Sequence, residues 1–243
     1  MPAPPTSRTR AIIFDAGNTL LRIDYAAIAA HLARRGRAVA PEEVEDAELR
    51  ARVRLDGDLA AGASSEALGT GELYLRYVLL HLDISAEDEV QAISRWRRAY
   101  NPPAGLWGQA FPGAADALRR VKAAGLVAGV VSNSNGSVRS ILQQTGLARD
   151  LDFVIDSAIV GVEKPDPRIF ALALEHAKVP ADAARYIGDF YSVDVLGARR
   201  AGLGAVLLDP KGYWGPRDCA VARDLHEAVN LCLAEEPFPS AGS

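Results

Sequence analysis

Polar side chains stand where short apolar runs end. Asp15 follows the run 11–14, Ser132 and Asn133 follow 127–131, Asp189 follows 186–188, and Asp194 lies one helical turn further on. Lys164, in Lys164-Pro165-Asp166-Pro167, comes after the run 153–155. Carboxylates with no His or Cys among them suit a hard cation such as Mg²⁺, which takes oxygen ligands in octahedral array. A carboxylate held beside that cation stays ionised and can attack phosphorus. A lysine neutralises charge on phosphoryl oxygens, while a hydroxyl and the N–H groups of a helix start grip the same atoms. The set therefore points to Mg²⁺-dependent phosphoryl transfer with Asp15 as nucleophile. Each residue alone has a plainer reading: a turn at Asp15, a helix cap at Ser132, Asn133 or Asp189, a solvated Lys164, an exposed Asp194. Their order at successive strand ends is what argues against it.

The elements that must position these groups are legible as an alternation. Strands are expected at 11–14, 127–131, 153–155, 186–188 and 205–208, with helices beginning near Gly113, Gly136, Pro167, Ser192 and Asp224. That pattern predicts an α/β fold, a doubly wound parallel sheet with helices on both faces. Ligands of such sheets bind beyond the carboxyl ends of the strands, where the polar set lies.

After the first strand the texture changes, and residues 22–100 read as consecutive amphipathic helices with no strand. Asp24 can cap a helix whose Ile28 and Leu32 share a face, and Gly36 can stop it. Pro41 opens the next helix, acidic at its start and Arg-rich toward its end. Ser65 precedes Leu68, Leu75, Leu79 and Leu82 at helical spacing. Ser85 with Asp88 forms a capping-box start for a helix carrying Ile93, Trp96 and Tyr100. Asn101-Pro102-Pro103 reads as a linker. The expected division is a core of 10–21 and 107–236, an inserted α-helical cap of 22–106, and loose tails at 1–9 and 237–243. An insert placed there can act as a lid.

The bulk numbers narrow the setting. The chain has 243 residues and a formal net charge of −4, so it carries no basic footprint for nucleic acid or for a membrane surface. Cys219 and Cys232 are too few for a disulfide framework and are expected as reduced thiols. The apolar run 11–14 is too short for a signal peptide or a membrane span, and a cytoplasmic location is expected. The expected partner is a small phosphorylated metabolite.

The segments Phe14-Asp15-Ala16-Gly17-Asn18-Thr19-Leu20, Val131-Ser132-Asn133-Ser134, Lys164-Pro165-Asp166-Pro167-Arg168-Ile169-Phe170 and Ile187-Gly188-Asp189-Phe190-Tyr191-Ser192-Val193-Asp194 resemble the four motifs of the haloacid dehalogenase (HAD) superfamily. They occur in order across residues 10–210, with the helical block where one subfamily inserts a cap. The resemblance implies a Rossmann-like core, a nucleophile and metal ligand in Asp15, and metal ligands in Asp189 and Asp194. It also implies a backbone carbonyl from Gly17 on the metal, and Ser132, Asn133 and Lys164 on the transferring group.

One departure bears on the chemistry. Phosphatases of this family carry a second aspartate two residues after the nucleophile, as general acid and base; here that position is Gly17. The next position, usually glycine, is Asn18, which tolerates a left-handed backbone. A positioned acid or base is worth roughly 10²- to 10⁴-fold, so the expectation is a slower or choosier phosphatase, and a gain for Gly17→Asp on alkyl phosphates. Dehalogenases of the family also lack that aspartate but need no metal, which fits the Gly188-Asp189 and Asp194 pattern poorly. Phosphonate-cleaving members lack it too, and carry arginine in place of Lys164. Receiver-type signalling modules share the aspartate, lysine and hydroxyl but have no helical insert. A degenerate binding protein has Gly17 as its only argument. His31 is expected to be packed or solvated, and Trp107 and Trp214 to be packing residues. Of the arginines at 34, 35, 37, 95, 97 and 98, most are expected on solvated faces with one or two reaching the cleft. Phe190 and Tyr191 are candidates to line it.

Overall fold

The computed structural model describes residues 9–62, 64, 68–100 and 105–234. The expected Ser65 helix start, the linker at 101–103, and the tails at 1–8 and 235–243 lie outside them. Strands are β1 Ala11–Phe14, β2 Leu21–Arg22, β3 Gln109–Ala110, β4 Val127–Ser132, β5 Phe153–Asp156, β6 Ala184–Gly188, β7 Gly204–Leu208 and β8 Ala220–Ala222. Helices are α1 Tyr25–Arg34, α2 Pro41–Ala60, α3 Leu68–Leu80, α4 Glu87–Tyr100, α5 Ala114–Ala123, α6 Val138–Gln144, α7 Ser157–Val160, α8 Pro167–Ala177, α9 Leu196–Arg200 and α10 Leu225–Leu233.

The main sheet has the order β5-β4-β1-β6-β7-β8, and its strands pair in parallel. The chain builds outward from β1 through β4 to β5, then restarts on the other side of β1 with β6. This is the doubly wound arrangement, and its switch point lies between β1 and β6. The register sets Phe14 against Val130 on one side and Ile187 on the other, so β1, β4 and β6 end at one level.

Burial explains why β1 reads as an unbroken apolar run. Ile12 and Phe14 enter one core cluster, with residues of α5, α6 and α10. Ala11 and Ile13 enter the other, with residues of α8 and α9. A strand covered on both faces has no polar side to alternate with.

The helical block packs around its own apolar cluster, which includes Ile28, Leu32, Val44, Leu79 and Ile93. The signals expected around the first two helices hold: the Asp24 carboxylate accepts from the Ala27 N–H at 2.9 Å, Pro41 is at a helix start, and Gly36 has φ 81°, whereas the helix expected to be capped by Ser85 begins at Glu87. Two further features depart from the expectation. Arg22 belongs to a strand, since β2 pairs antiparallel with β3 and joins the two ends of the block. The helix expected from Ser192 is preceded by a π-helical turn, Tyr191–Val195, a geometry frequent at functional sites. Strand β8 and the four-residue α7 were not expected, because neither carries a periodic apolar pattern.

Candidate active site

Because β1, β4 and β6 end level, Asp15, Ser132 and Asp189 come to one rim beside the switch point. Lys164, just ahead of α8, reaches the same place. Its Nζ lies 2.5 Å from Asp15 Oδ1, 2.7 Å from Asp194 Oδ1 and 2.9 Å from the Tyr186 hydroxyl. All four of these side chains are buried. Burial alone would lower the Lys164 pKa, but Asp15 and Asp194 outweigh it and raise it well above its usual value. The charged ammonium is therefore favoured, and it holds Asp15 by charge as well as by hydrogen bond.

Tyr186 was missed by sequence reasoning. It sits on β6 between Arg185 and Ile187, and nothing in its type or spacing sets it apart from any buried strand residue. Its hydroxyl accepts from Lys164 and lies 3.0 Å from the Val131 carbonyl and 3.3 Å from Asp194 Oδ1. The π-helical turn folds Asp194 back, so that its Oδ2 accepts from the backbone N–H of Asp189 at 3.0 Å and of Phe190 at 2.9 Å. Gly188 permits this approach, for a Cβ there would stand 2.4 Å from the Asp194 Cγ.

Asp15, Asp189 and Asp194 each bring a carboxylate oxygen within 4.8 Å of the others. Burial, opposed by Lys164, pushes the Asp15 carboxyl up to about 6. Burial likewise pushes Asp189 well above the usual carboxylate range, against the pull of Arg52. Asp189 Oδ2 is buried and receives no hydrogen bond among the described residues. Three buried carboxylates, one with an oxygen that takes no hydrogen bond among the described residues and meets the Arg52 charge at 3.3 Å, form an oxygen donor set of the kind a hard divalent cation takes. Asp194 differs from the other two, since donors already reach both of its oxygens.

Asn133 lines the cavity, as a substrate-binding residue should, and also fixes the loop opposite. Its Oδ1 accepts from the Lys164 N–H at 2.7 Å and its Nδ2 donates to the Lys164 carbonyl at 2.9 Å. Ser132 is buried on the cavity wall, its Oγ 3.3 Å from the Asn133 carbonyl.

The helical block closes the site through α2. Glu48, Arg52 and Asp56 follow one another at four-residue spacing and are all buried. Glu48 accepts from Arg52 at 3.0 and 2.6 Å, from Tyr25 at 3.0 Å, from Asn18 at 3.1 Å, and from Tyr74. Asn18 stands at φ 53°, the left-handed conformation expected of it. The Arg52 Nη1 stands 3.3 Å from Asp189 Oδ2. Asp56 accepts from the Ser192 N–H at 2.8 Å and its hydroxyl at 2.7 Å. Arg52→Met would leave Glu48 and Asp189 without their shared cation, an expected loss of about 3 to 5 kcal/mol. Thermal unfolding of Arg52→Met beside Glu48→Gln/Arg52→Met checks this, the double variant regaining part of the loss.

Between the strand ends and helices α2 to α4 lies a cavity of about 320 Å³. Asp15, Gly17, Ser132, Lys164 and Asp189 line its core side, and Leu55, Leu59, Tyr74 and Arg97 its helical side. Arg97 is the arginine of the two charge runs that reaches it, whereas Arg37 pairs with Glu89 and Arg98 with Glu72 outside. His31 is packed, its ring stacked on Trp96 at 4.1 Å. Trp214 is a buried packing residue, as expected, but Trp107 is not only that: it lines the cavity beside Gly17. A Cβ on residue 17 would stand 3.3 Å from the Trp107 ring, so the indole must give by a few tenths of an ångström to admit a side chain there. Phe190 lines the cavity; Tyr191 turns outward to bond Asp218. Among the described residues no helix is long and apolar enough to cross a membrane.

Comparison with known proteins agrees with this arrangement. The haloacid dehalogenase-like hydrolase model matches residues 9–202. The human haloacid dehalogenase-like hydrolase domain-containing protein 3 is 30% identical over 206 residues, 82% of this chain and 81% of its own length. A phosphoserine phosphatase of Thermus thermophilus is 37% identical over 125 residues, 51% of this chain and 47% of its own. The solved structure of the L-2-haloacid dehalogenase RSc1362 shares the fold, with a TM-score of 0.63 at 22% identity over 94% of this chain and all of that one. Asp15 at the switch point, motifs in order and matches across most of the chain lead to one conclusion: the protein belongs to the haloacid dehalogenase-like hydrolases.

Proposed function

We propose that this hydrolase is a phosphatase that cleaves a small phosphorylated metabolite through an aspartyl-phosphate on Asp15. The observation that carries the reading is the meeting of Asp15 with Lys164 on a cavity wall, with the carboxylates of Asp189 and Asp194 clustered beside it. Asp15 and Asp189, with the Gly17 carbonyl, would hold Mg²⁺, and Asp194 would steady the group through Lys164 and the backbone. Bound there, the cation would screen the negative charge that phosphoryl transfer gathers on its oxygens. Resemblance to a chain named a phosphatase supports the same choice.

The chain's own residues supply the rest. A carboxylate oxygen of Asp15 forms the bond to phosphorus as the bond to the leaving oxygen breaks. Lys164 and Ser132 donate to the phosphoryl oxygens and hold the group in line. Water then attacks the acyl phosphate, releasing phosphate and returning the Asp15 carboxylate. Gly17 has no proton to give, so the leaving oxygen takes one from water or departs as an anion.

The test is phosphate release from acyl, aryl and sugar phosphates, with and without Mg²⁺. Mg²⁺-dependent turnover that falls steeply as leaving-group pKa rises is expected. The pH profile adds a second reading. Asp15 must be ionised to attack, and burial raises its pKa from 3.8 to about 6. Activity is therefore lost as pH falls through a midpoint at or below about 6, lower where a cation stabilises the carboxylate. No release from any ester would overturn the proposal. The second reading is then a 2-haloacid dehalogenase, favoured by the Arg52 contact to Asp189 and by Gly17, and tested by halide release.

A further inference from the structure

The cavity has a second charged end. Lys164 is held beside Asp15, Asp194 and Tyr186, so its charge serves the reacting end of the cavity. Among the described lining residues the other cation is Arg97, on the opposite wall. Its place can be traced through α3. Tyr74 Oη stands 3.4 Å from the Asn18 amide on the nucleophile turn. Gly71 lies one helical turn before Tyr74, about 5 Å along the axis, and Arg97 Nη1 donates to its carbonyl at 3.0 Å. The guanidinium is thus fixed at the Gly71 level of α3 on the helical wall of the cavity, across from the core wall that carries Lys164.

The surroundings leave this cation with charge to share. Its acidic neighbour, Glu72, stands 3.3 Å from Arg97 but 2.8 Å from Arg98, which takes the closer pairing, and Ser94 donates to Glu72 as well. Arg97 Nε is buried and has no hydrogen-bond acceptor among the described residues. Gly71 makes room for the group: a Cβ there would stand 3.4 Å from both terminal nitrogens. Leu55 and Leu59 form the apolar wall nearby, which strengthens a charge pair by excluding water.

We infer that Arg97 is a specificity residue that binds a carboxylate at the far end of the substrate. The substrate class is a phosphate monoester whose organic part ends in a carboxylate. A single guanidinium, partly balanced by Glu72, matches one negative charge better than the two of a second phosphate. Its planar fork fits a carboxylate oxygen pair. The cavity, at the small end of ligand sites, suits a short chain between the two anions. This assignment rests on the phosphatase reading for the reacting end only.

The experiment compares 3-phosphooxypropanoate, its carboxamide and propane-1,3-diyl bisphosphate as substrates, and as ligands of Asp15→Asn by calorimetry. The wild-type chain is expected to prefer the carboxylate over the carboxamide by about 10- to 100-fold in kcat/KM, carried mainly by KM. Arg97→Met should bring that ratio close to one, and Arg97→Lys should restore part of it. Gly71→Ala, which crowds the guanidinium, should lower it as well. A bisphosphate preferred over the carboxylate would overturn the assignment, as would equal use of carboxylate and carboxamide, or an Arg97→Met ratio equal to wild type. Hydrolysis of all three esters without preference would sink the subsite and leave the phosphatase standing. Arg97-dependent selective binding of the carboxylate with no hydrolysis would support the subsite and sink the phosphatase. Absence of both binding and turnover counts against the subsite too.

Discussion

Asp15→Asn is expected to lower turnover by roughly 10⁴- to 10⁶-fold, the scale of loss when a covalent nucleophile is removed. The size of the effect comes from chemistry and not from collapse of the site. The amide has no anionic oxygen with which to attack phosphorus, yet it matches the carboxylate in shape. Lys164 keeps Asp194 and Tyr186 as partners in the variant, so its ammonium is not left buried alone. The measurement is single-turnover phosphate release, with trapping of the phosphorylated protein in the wild-type chain. A variant retaining even a tenth of the activity would remove Asp15 from the nucleophile's place.

The second large effect concerns Gly17 and its neighbour. An aspartate at position 17 could protonate the leaving oxygen and activate the water, a contribution of roughly 10²- to 10⁴-fold. The sequence alone leads one to expect that gain from Gly17→Asp. The structure changes the expectation, because the Trp107 ring lies 3.3 Å from where the new Cβ must go. Gly17→Asp by itself should therefore gain little. Gly17→Asp/Trp107→Ala should raise kcat on a sugar phosphate by about 10²-fold or more, while acyl phosphate changes far less, since its leaving group needs no proton. Trp107→Ala alone serves as the control for the lost ring. Equal rates for the single and double variants would show that the indole is not what bars the carboxylate.

Much of the site was legible because parallel strands concentrate information at their ends. An apolar run covered on both faces stops where the next residue must leave the core, so Asp15, Ser132 and Asp189 stand out without any knowledge of packing. The contributions of the helical block were not legible in the same way. Glu48 and Arg52, four residues apart on a helix, have the spacing of an ordinary surface ion pair, and nothing in the chain singles them out. Only the docking of α2 on the core makes them a buried pair against Asn18 and Asp189. Trp107 and Tyr186 failed for a related reason: an aromatic residue reads as packing, and whether its ring lines a cavity or its hydroxyl meets a lysine is a tertiary fact. Of the arginines in the charge runs, the one that reaches the cavity is held by the carbonyl of a glycine on a different helix.

The short pairing of β2 with β3 carries a consequence for how such a chain can change. Leu21 faces Ala110 and Arg22 faces Gln109, so the chain leaves the core and comes back to it at adjoining points. Whatever lies between is a detour that the sheet does not need for its own connectivity. A tight turn joining Arg22 directly to Gln109 would leave the strand order β5-β4-β1-β6-β7-β8 untouched. The scaffold that holds the reacting groups and the module that faces the rest of the substrate can thus be exchanged or diversified separately, like a tool head on a fixed handle.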